Sequence, residues 1–424
     1  MTEALRIVSL AVGDELLDGR VADGNTKDLG DALSQLGLEL CAARTVPDAR
    51  AVVVAAVRAA ADEADVVVTS GGLGPTSDDI TAECIAEAAG VGLRFDAAAF
   101  ARIEAMFALR SIPMPESNRR QAMLPATSRT LENEQGTAPG FVTPLMGARG
   151  PVEVWSFPGV PREYRHLLED RLLPELRARL DRGASRVLVR RTLRSLGLSE
   201  SAVGERLGAL ERDNPDVRVQ YRAACPEILV RVIVTASERA QAEARADELA
   251  ARARADIGAS VYGVGDEPLE ERVLRALENK GATLAVAESC TGGLVAKRLT
   301  DVPGSSSVVQ GGVVAYANQV KTAALDVPAS VLAEHGAVSE AVARAMADGA
   351  RARLGADWAI STTGVAGPTG GSEDKPVGLV WFGVAGPGGT AAHKKRLPDF
   401  GRERVREMAA AWALRFLLEA ADVA

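Results

Sequence analysis

Short apolar runs alternate with amphipathic stretches over the first ninety residues. Arg6–Ala11, Leu40–Val46 and Asp65–Ser70 read as strands. Asn25–Leu36 reads as a helix ending at Gly37. Asp48 is expected to cap an Ala/Val-rich helix reaching about Ala61, and a helix from about Asp79 to Ala89 is stopped by Gly90. This order predicts a mostly parallel sheet with helices on both faces. Glu153–Phe157 adds a strand, and Pro161 opens a helix to about Leu180. Between about Ser185 and Ser260 the order is β-α-β-β-α: strands at Val187–Arg194 and Glu227–Thr235, helices at Ser199–Leu210 and Glu238–Ile257. Tyr262–Pro268 (YGVGDEP) reads as a linker. The alternation then restarts. Helices are expected at Glu270–Lys280, Ser339–Leu354 and Gly401–Ala420, and strands at Leu284–Ala287, Gly311–Tyr316, Trp358–Thr363 and Gly378–Gly383. The expected organisation is an α/β domain over 1–180, a small α+β module over 185–260, a linker over 261–268 and a second α/β domain over 269–424.

A chain of 424 residues is too long for one ordinary core, in keeping with that division. Its 57 acidic and 49 basic residues give a net charge of −8, which argues against a broad nucleic-acid footprint. The middle module also lacks the G-x-x-G loop and aromatic platform of single-strand binders, so it reads as a spacer or dimerisation module. The apolar run Val52–Ala61 is broken by Arg58, and Met1–Leu10 lacks the parts of a signal peptide. Cys41, Cys84, Cys225 and Cys290 lie far apart with no C-x-x-C pair. A cytoplasmic protein with free thiols and no membrane association is expected. Its three histidines, His166, His335 and His393, show no metal-ligand spacing, so a hydrolase here must manage without a Ser-His-Asp triad.

Two loops carry candidate chemistry. Thr69–Thr81 (TSGGLGPTSDDIT) follows a buried strand and opens a helix. Gly71, Gly72 and Gly74 let backbone N–H groups turn toward an anion, and the helix start favours phosphate. Asp78 and Asp79 beside such a cradle make electrostatic sense if a divalent cation bridges them to phosphate; they also suit a helix cap and first turn. In the second domain Ala287–Gly293 (AESCTGG) sits between a strand and a helix. Ser289 at that turn is a candidate nucleophile, with N–H groups near Gly292 and Gly293 facing a developing oxyanion. Lys321, partly desolvated beside Tyr316, could serve as its base. Helix capping, a core edge and a solvated surface are the plain alternatives for Ser289, Tyr316 and Lys321. A further glycine loop, Thr363–Gly371, contains Gly364, Ala366 and Gly367.

Longer blocks give these loops a family context. GDELLDG (Gly13–Gly19), Gly24-Asn25-Thr26, SGGLGPTSDDIT (Ser70–Thr81), Asn118–Ala122, Asn133 with Gly136–Gly140, and FPGVPRE (Phe157–Glu163) occur in the order of the domain shared by molybdopterin-binding proteins and the CinA family. That resemblance implies a doubly wound fold and metal-dependent ADP-ribose pyrophosphatase activity. It places nucleotide contacts on Gly71, Gly72, Gly74, Thr76, Asn25 and Asn118. A divalent metal (Mg, Mn or Co) falls on Asp79 with Asp78.

AESCTGG, VVAYANQVK, TTGVAGPTGG and PVGLVWFGV resemble the CinA C-terminal domain, the nicotinamide-nucleotide amidase family. The resemblance implies hydrolysis of nicotinamide mononucleotide to nicotinic acid mononucleotide and ammonia, with no metal required. The nucleophile falls on Ser289 and its partners on Tyr316 and Lys321. Substrate contacts are expected at Thr291, Gly292, Gly293, Asn318, Gly364, Ala366 and Gly367. The family's arginine often stands in a Gly-Asp-Arg-Glu setting. Phe400-Gly401-Arg402-Glu403 lacks the aspartate, and Arg402 is the residue assigned to it. The resemblance also implies that the middle module helps to assemble a homodimer. The alternative reading is a nucleotide-binding scaffold acting in competence or DNA repair.

Overall fold

The computed structural model describes residues 5–182, 187–214 and 217–423. The expected boundary at Ser185 lies outside them. The chain forms two compact units, Met1–Arg190 with Thr235–Glu243, and Arg191–Val234 with Ala244–Ala424.

The first unit runs β1 (Ile7–Val12), α1 (Asp14–Leu17), α2 (Gly24–Gln35), β2 (Leu40–Val46), α3 (Arg50–Glu63), β3 (Val66–Ser70), α4 (Thr81–Ala88), β4 (Leu93–Phe95), α5 (Ala97–Leu109), β5 (Met123–Pro125), β6 (Arg129–Leu131), β7 (Gly140–Gly147), β8 (Gly150–Phe157), α6 (Pro161–Leu167) and α7 (Leu173–Arg182). Its main sheet has the order β2-β1-β3-β8-β7-β6. β2, β1, β3 and β8 are parallel; β7 and β6 are antiparallel additions. Both faces are covered. Val8, Leu10, Val67 and Val154 pack into one apolar cluster, while Ile7, Val66, Val68, Trp155 and Phe157 pack into another. Two-sided burial explains why β1 and β3 are buried throughout and mostly apolar, with only Ser9, Thr69 and Ser70 polar.

Two expectations about helix starts fail. α3 is preceded by Ala49, with no side-chain cap; the Asp48 carboxylate instead accepts the Asp14 N–H at 3.0 Å. Similarly, α4 begins at Thr81 rather than Asp79, because the Asp79 carboxylate folds back onto its own loop. β8 contains the expected strand Glu153–Phe157, whereas β4, β5, β6 and β7 were not among the expected strands.

The second unit contains β9 (Val187–Leu196), most of which lies in it, then α8 (Glu200–Asp213), β10 (Val217–Ala224), β11 (Glu227–Ala236), α9 (Arg239–Ile257) and β12 (Val261–Val264). These build a sheet of order β10-β11-β9-β12. Ser199, expected as the first helical residue, caps α8 by accepting the Ala202 N–H. Val261–Val264, expected as linker, is instead an edge strand paired with β9. Tyr262 and Leu196 are buried in the same apolar cluster as Leu274 and Leu414, so only 265–268 connect.

α10 (Leu269–Glu278), β13 (Leu284–Glu288), α11 (Leu294–Thr300), β14 (Val309–Val314), α12 (Asn318–Leu325), α13 (Ala329–His335), α14 (Glu340–Leu354), β15 (Trp358–Gly364), β16 (Leu379–Gly386), β17 (Gly389–Arg396) and α15 (Arg402–Val423) follow. They build a sheet of order β14-β13-β15-β16-β17, parallel over the first three strands and antiparallel beyond. Ser339 caps α14 by accepting the Val342 N–H, and Gly355 ends it. Among the described residues no helix is long and apolar enough to cross a membrane.

Candidate active sites

In the second unit β13 is the middle of three parallel strands, and the chain leaves its carboxyl end at Glu288. Ser289 comes next, its N–H held by the Thr362 carbonyl at 2.9 Å. α12, reached from β14, brings Lys321 back over this turn. The Lys321 Nζ lies 3.0 Å from Ser289 Oγ, 2.8 Å from the Ala315 carbonyl and 3.3 Å from the Tyr316 carbonyl. The lysine is 1% exposed. Burial pushes its pKa below the usual lysine range. A neutral amine has two N–H groups and one lone pair. Two carbonyls and one hydroxyl match that set: the N–H groups go to the carbonyls, and the lone pair is left for the serine proton. Spacing alone gave Lys321 only as a candidate; the fold puts it in contact with Ser289 Oγ.

Cys290, next to Ser289, turns the other way into the apolar cluster with Val295 and Ile360. Burial pushes its thiol up to about 12, so it remains a thiol rather than a thiolate. Thr291 is fully buried and its hydroxyl pairs with the Thr362 hydroxyl at 2.6 Å, so it supports the turn rather than lining a substrate site. The backbone also departs from expectation. The Gly292 N–H goes to the Ser289 carbonyl at 3.2 Å. The Gly293 N–H goes to the Glu288 carboxylate at 2.9 Å. Both groups assigned to an oxyanion are thus engaged. Glu288, 1% exposed, accepts the N–H groups of Val295 and Ala296 as well, at 3.1 and 2.8 Å. A carboxylate on these orphan donors fixes the start of α11. Its signal in the sequence is an acid directly before the S-C-T-G-G turn.

Tyr316 is 59% exposed, and its hydroxyl accepts a hydrogen bond from Arg402 Nη2 at 2.7 Å. Arg402 Nη1 donates to the Gly367 carbonyl at 2.8 Å. The fold therefore gathers Tyr316, Gly367 and Arg402, but the tyrosine hydroxyl is bonded to the arginine and not to Ser289 or Lys321. Arg406, one turn along α15, donates from Nη2 to the Thr291 carbonyl at 2.7 Å and was not singled out by the sequence. Asn318 is exposed at the start of α12. Ala366 lies in the core, and Gly364 is required by packing, since a Cβ there would come within 2.6 Å of the Leu379 carbonyl.

In the first unit the loop after β3 borders a cleft of about 440 Å³. Gly71, Gly72, Gly74, Glu15, Asp48, Asp78, Asp79 and Glu163 are among its walls. Gly71 and Gly72 have φ of +101° and +65°, and a Cβ on either would come within 2.2 Å of Val12 O or Thr81 Oγ1. The loop's N–H groups do meet an anion, but it is the protein's own. Asp79 Oδ1 accepts the Gly74 N–H at 2.7 Å, and Oδ2 accepts the Thr76 N–H at 2.8 Å and the Thr76 hydroxyl. Asp78 stays exposed, and its bond to Thr76 holds its pKa below the usual range. Asp48 is raised by burial and by the like charges of Asp14, Glu15 and Asp78.

Asn118, expected at the nucleotide, is buried one step away. Its amide holds Gln121, which donates to the Leu73 carbonyl at 3.3 Å, while Arg120 donates to the Thr76 carbonyl at 2.7 Å. Asn25 ties Ser70 Oγ to the Gly159 carbonyl, at 2.7 and 2.8 Å, and its Oδ1 is buried without a partner. Among the described residues no three His, Cys, Asp or Glu side chains are placed to share one metal ion.

Two α/β sheets, each with a site at the carboxyl ends of parallel strands, and an α+β module between them in sequence define a multidomain α/β protein of the molybdopterin-binding type in its first part. Residues 9–178 match the probable molybdopterin binding domain, 190–263 the damage-inducible protein CinA KH domain, and 266–421 the CinA C-terminal domain. A CinA-like protein of Frankia casuarinae is 44% identical over 97% of this chain and 95% of its own length. A putative competence-damage inducible protein of Symbiobacterium thermophilum is 44% identical over 96% of this chain and 97% of its own. The chain belongs to the CinA family. Among solved structures, a competence/damage inducible protein of Agrobacterium tumefaciens is 40% identical over 37% of this chain and 99% of its own, with a TM-score of 0.35. A CinA protein of Thermoplasma acidophilum is 34% identical over 39% and 95%, with a TM-score of 0.36.

Proposed function

We propose that the second unit is a serine amidase that converts nicotinamide mononucleotide to nicotinic acid mononucleotide and ammonia. The observation that carries this reading is the 3.0 Å contact between Ser289 Oγ and the buried Lys321 amine. Neutral Lys321 takes the hydroxyl proton as Oγ attacks the amide carbon. The resulting ammonium returns a proton to the leaving nitrogen, which departs as ammonia and leaves an acyl-serine. Water activated by the same amine then releases the acid. With Gly292 and Gly293 engaged, the N–H groups of Cys290 and Thr291 are the turn's remaining backbone donors for the oxyanion. Arg402 supplies positive charge beside the exposed Tyr316 ring, a setting suited to a phosphorylated pyridine nucleotide. The test is ammonia release from the purified full-length chain given nicotinamide mononucleotide. Absence of ammonia would leave the scaffold reading as the better one.

The first unit has a second hydrolytic reading, a divalent-metal pyrophosphatase acting on ADP-ribose. What supports it is the cleft itself, where a glycine loop and several carboxylates share one wall. A polyanionic substrate fits such a wall only with a cation between. The crowding of Asp48 by Asp14, Glu15 and Asp78 is the charge pattern a cation relieves. Magnesium-type ions use one or two carboxylates plus substrate phosphates, so a preformed cage is not required. Asp78 and Asp48 would hold the ion, which polarises the phosphoryl oxygens when bound. Asp79, with both oxygens engaged, keeps the loop in shape. Manganese-dependent release of phosphomonoesters from ADP-ribose tests this reading.

A further inference from the structure

One carboxylate in the first unit's cleft is built differently from the rest. Glu163 stands in the opening turn of α6, behind Pro161. It lines the same 440 Å³ cavity as the glycine loop and Asp78. Its carboxyl group lies directly on the backbone of Gly136: a Cβ there would fall 2.0 Å from Glu163 Cδ, so the side chain has its place only because residue 136 has none. Asn133, 4% exposed, holds the group from the other side. Its Nδ2 donates to Glu163 Oε2 at 2.6 Å and to the Ala138 carbonyl at 2.8 Å, while its Oδ1 accepts the Gln135 N–H at 3.0 Å. Every polar atom of the amide is engaged, so the amide cannot flip. Oε2 is thereby fixed as an acceptor, and Oε1 is the oxygen left for another partner. No arginine or lysine forms an ion pair with Glu163 among the described residues.

We propose that Glu163 is the general base of the first unit, with Oε1 taking a proton from the water that attacks the pyrophosphate. This rests on the pyrophosphatase reading above. As the water oxygen bonds to one phosphorus, the bond from that phosphorus to the bridging oxygen breaks. The bridging oxygen leaves on the other phosphate with the electron pair. Glu163 passes its proton to solvent, and two phosphomonoesters result. The arrangement is a base held by an orienting group, as such catalysis needs. Arg110 is the charge that acts on the Glu163 carboxyl group, Glu15, Asp48, Asp78 and Asp79 line the same cavity, and His166 lies one turn along α6. Arg110 acts at a distance; His166 accepts the Glu134 N–H and pairs with Asp170 at 2.8 Å. Burial raises the Glu163 pKa, and Asn133 and Arg110 lower it, with a net rise toward the working range of a base.

The experiment uses the full-length chain, Mn²⁺ and ADP-ribose. Glu163→Gln keeps the shape and the bond to Asn133 but takes no proton. It should lower kcat by about 10²–10⁴-fold, while ADP-ribose binding by calorimetry stays within about threefold and shows that the site is folded. Wild-type kcat/KM should fall on the acid side, and that limb should move to higher pH in Asn133→Ala, which removes a donor favouring the carboxylate. A merely structural role for Glu163 would leave the limb in place. Glu163→Gln turning over within threefold of wild type, or losing binding rather than turnover, overturns the proposal while the pyrophosphatase reading stands. A wild-type chain that releases no phosphomonoester overturns both.

Discussion

Replacing Lys321 with methionine tests the second site most directly. Methionine nearly matches the lysine stem in volume, so the packing around α12 is kept. What goes is the amine and its three contacts, to Ser289 Oγ and the carbonyls of Ala315 and Tyr316. The carbonyl of buried Ala315 loses its 2.8 Å donor outright, whereas the 3.3 Å contact to Tyr316 is longer and partly solvated. One orphaned acceptor costs about 1–3 kcal/mol, partly offset because no amine is desolvated. The melting temperature should then fall by roughly 2–4 °C per kcal/mol for a unit of this size. The rate effect is far larger. Loss of a general base should lower kcat for ammonia release by about 10²–10⁴-fold with KM little changed.

The pH profile adds a second readout. Below its lowered folded-state pKa, Lys321 is an ammonium and cannot take the serine proton; above it the amine is free. Wild-type activity should therefore rise with pH through that pKa, short of the ordinary lysine value of 10.5, and the variant's residual rate should not follow it. Stability changes in the same direction. Between the folded pKa and 10.5 the unfolded chain holds more protons, so stability rises with pH there. A folded Lys321→Met protein within threefold of wild-type kcat would refute the base assignment.

Ser289→Ala should abolish ammonia release while Cys290→Ala retains most of it, and the reverse pattern in folded protein would move the nucleophile to the thiol. Glu288→Ala removes the carboxylate from three N–H groups at the start of α11 and should destabilise by about 3–5 kcal/mol, read by calorimetric melting; an unchanged melting temperature would show that the turn holds without it. Arg402→Lys loses the fork spanning the Tyr316 hydroxyl and the Gly367 carbonyl, so KM for nicotinamide mononucleotide should rise about tenfold with kcat little affected; an unchanged KM removes Arg402 from the substrate site. Asp79→Asn weakens the clamp on Gly74 and Thr76 and should lower ADP-ribose hydrolysis while ammonia release continues, and equal ADP-ribose turnover would show that the loop needs no carboxylate.

The α/β alternation was legible because it is local. Buried parallel strands leave apolar runs, and amphipathic helices leave a three-to-four residue period; neither depends on what they pack against. The CinA blocks also singled out Ser289, Lys321 and the glycine loop as candidates. Distant packing decided the rest. Whether Lys321 is solvated or desolvated depends on α12 returning over the β13 turn, a fact of the sheet order rather than of spacing. Whether Asp48 caps a helix and Asp79 joins a first turn depends on which N–H groups compete for them, and for Asp48 the winner lies 34 residues away. Tyr262 read as linker because its glycine-rich neighbourhood resembles one; it is a strand because its ring has a core to enter. Glu163 lay inside the FPGVPRE block, but a glutamate at a helix start carries no sign of its role in the sequence. Its setting exists only where Asn133 and Gly136 meet its carboxyl group.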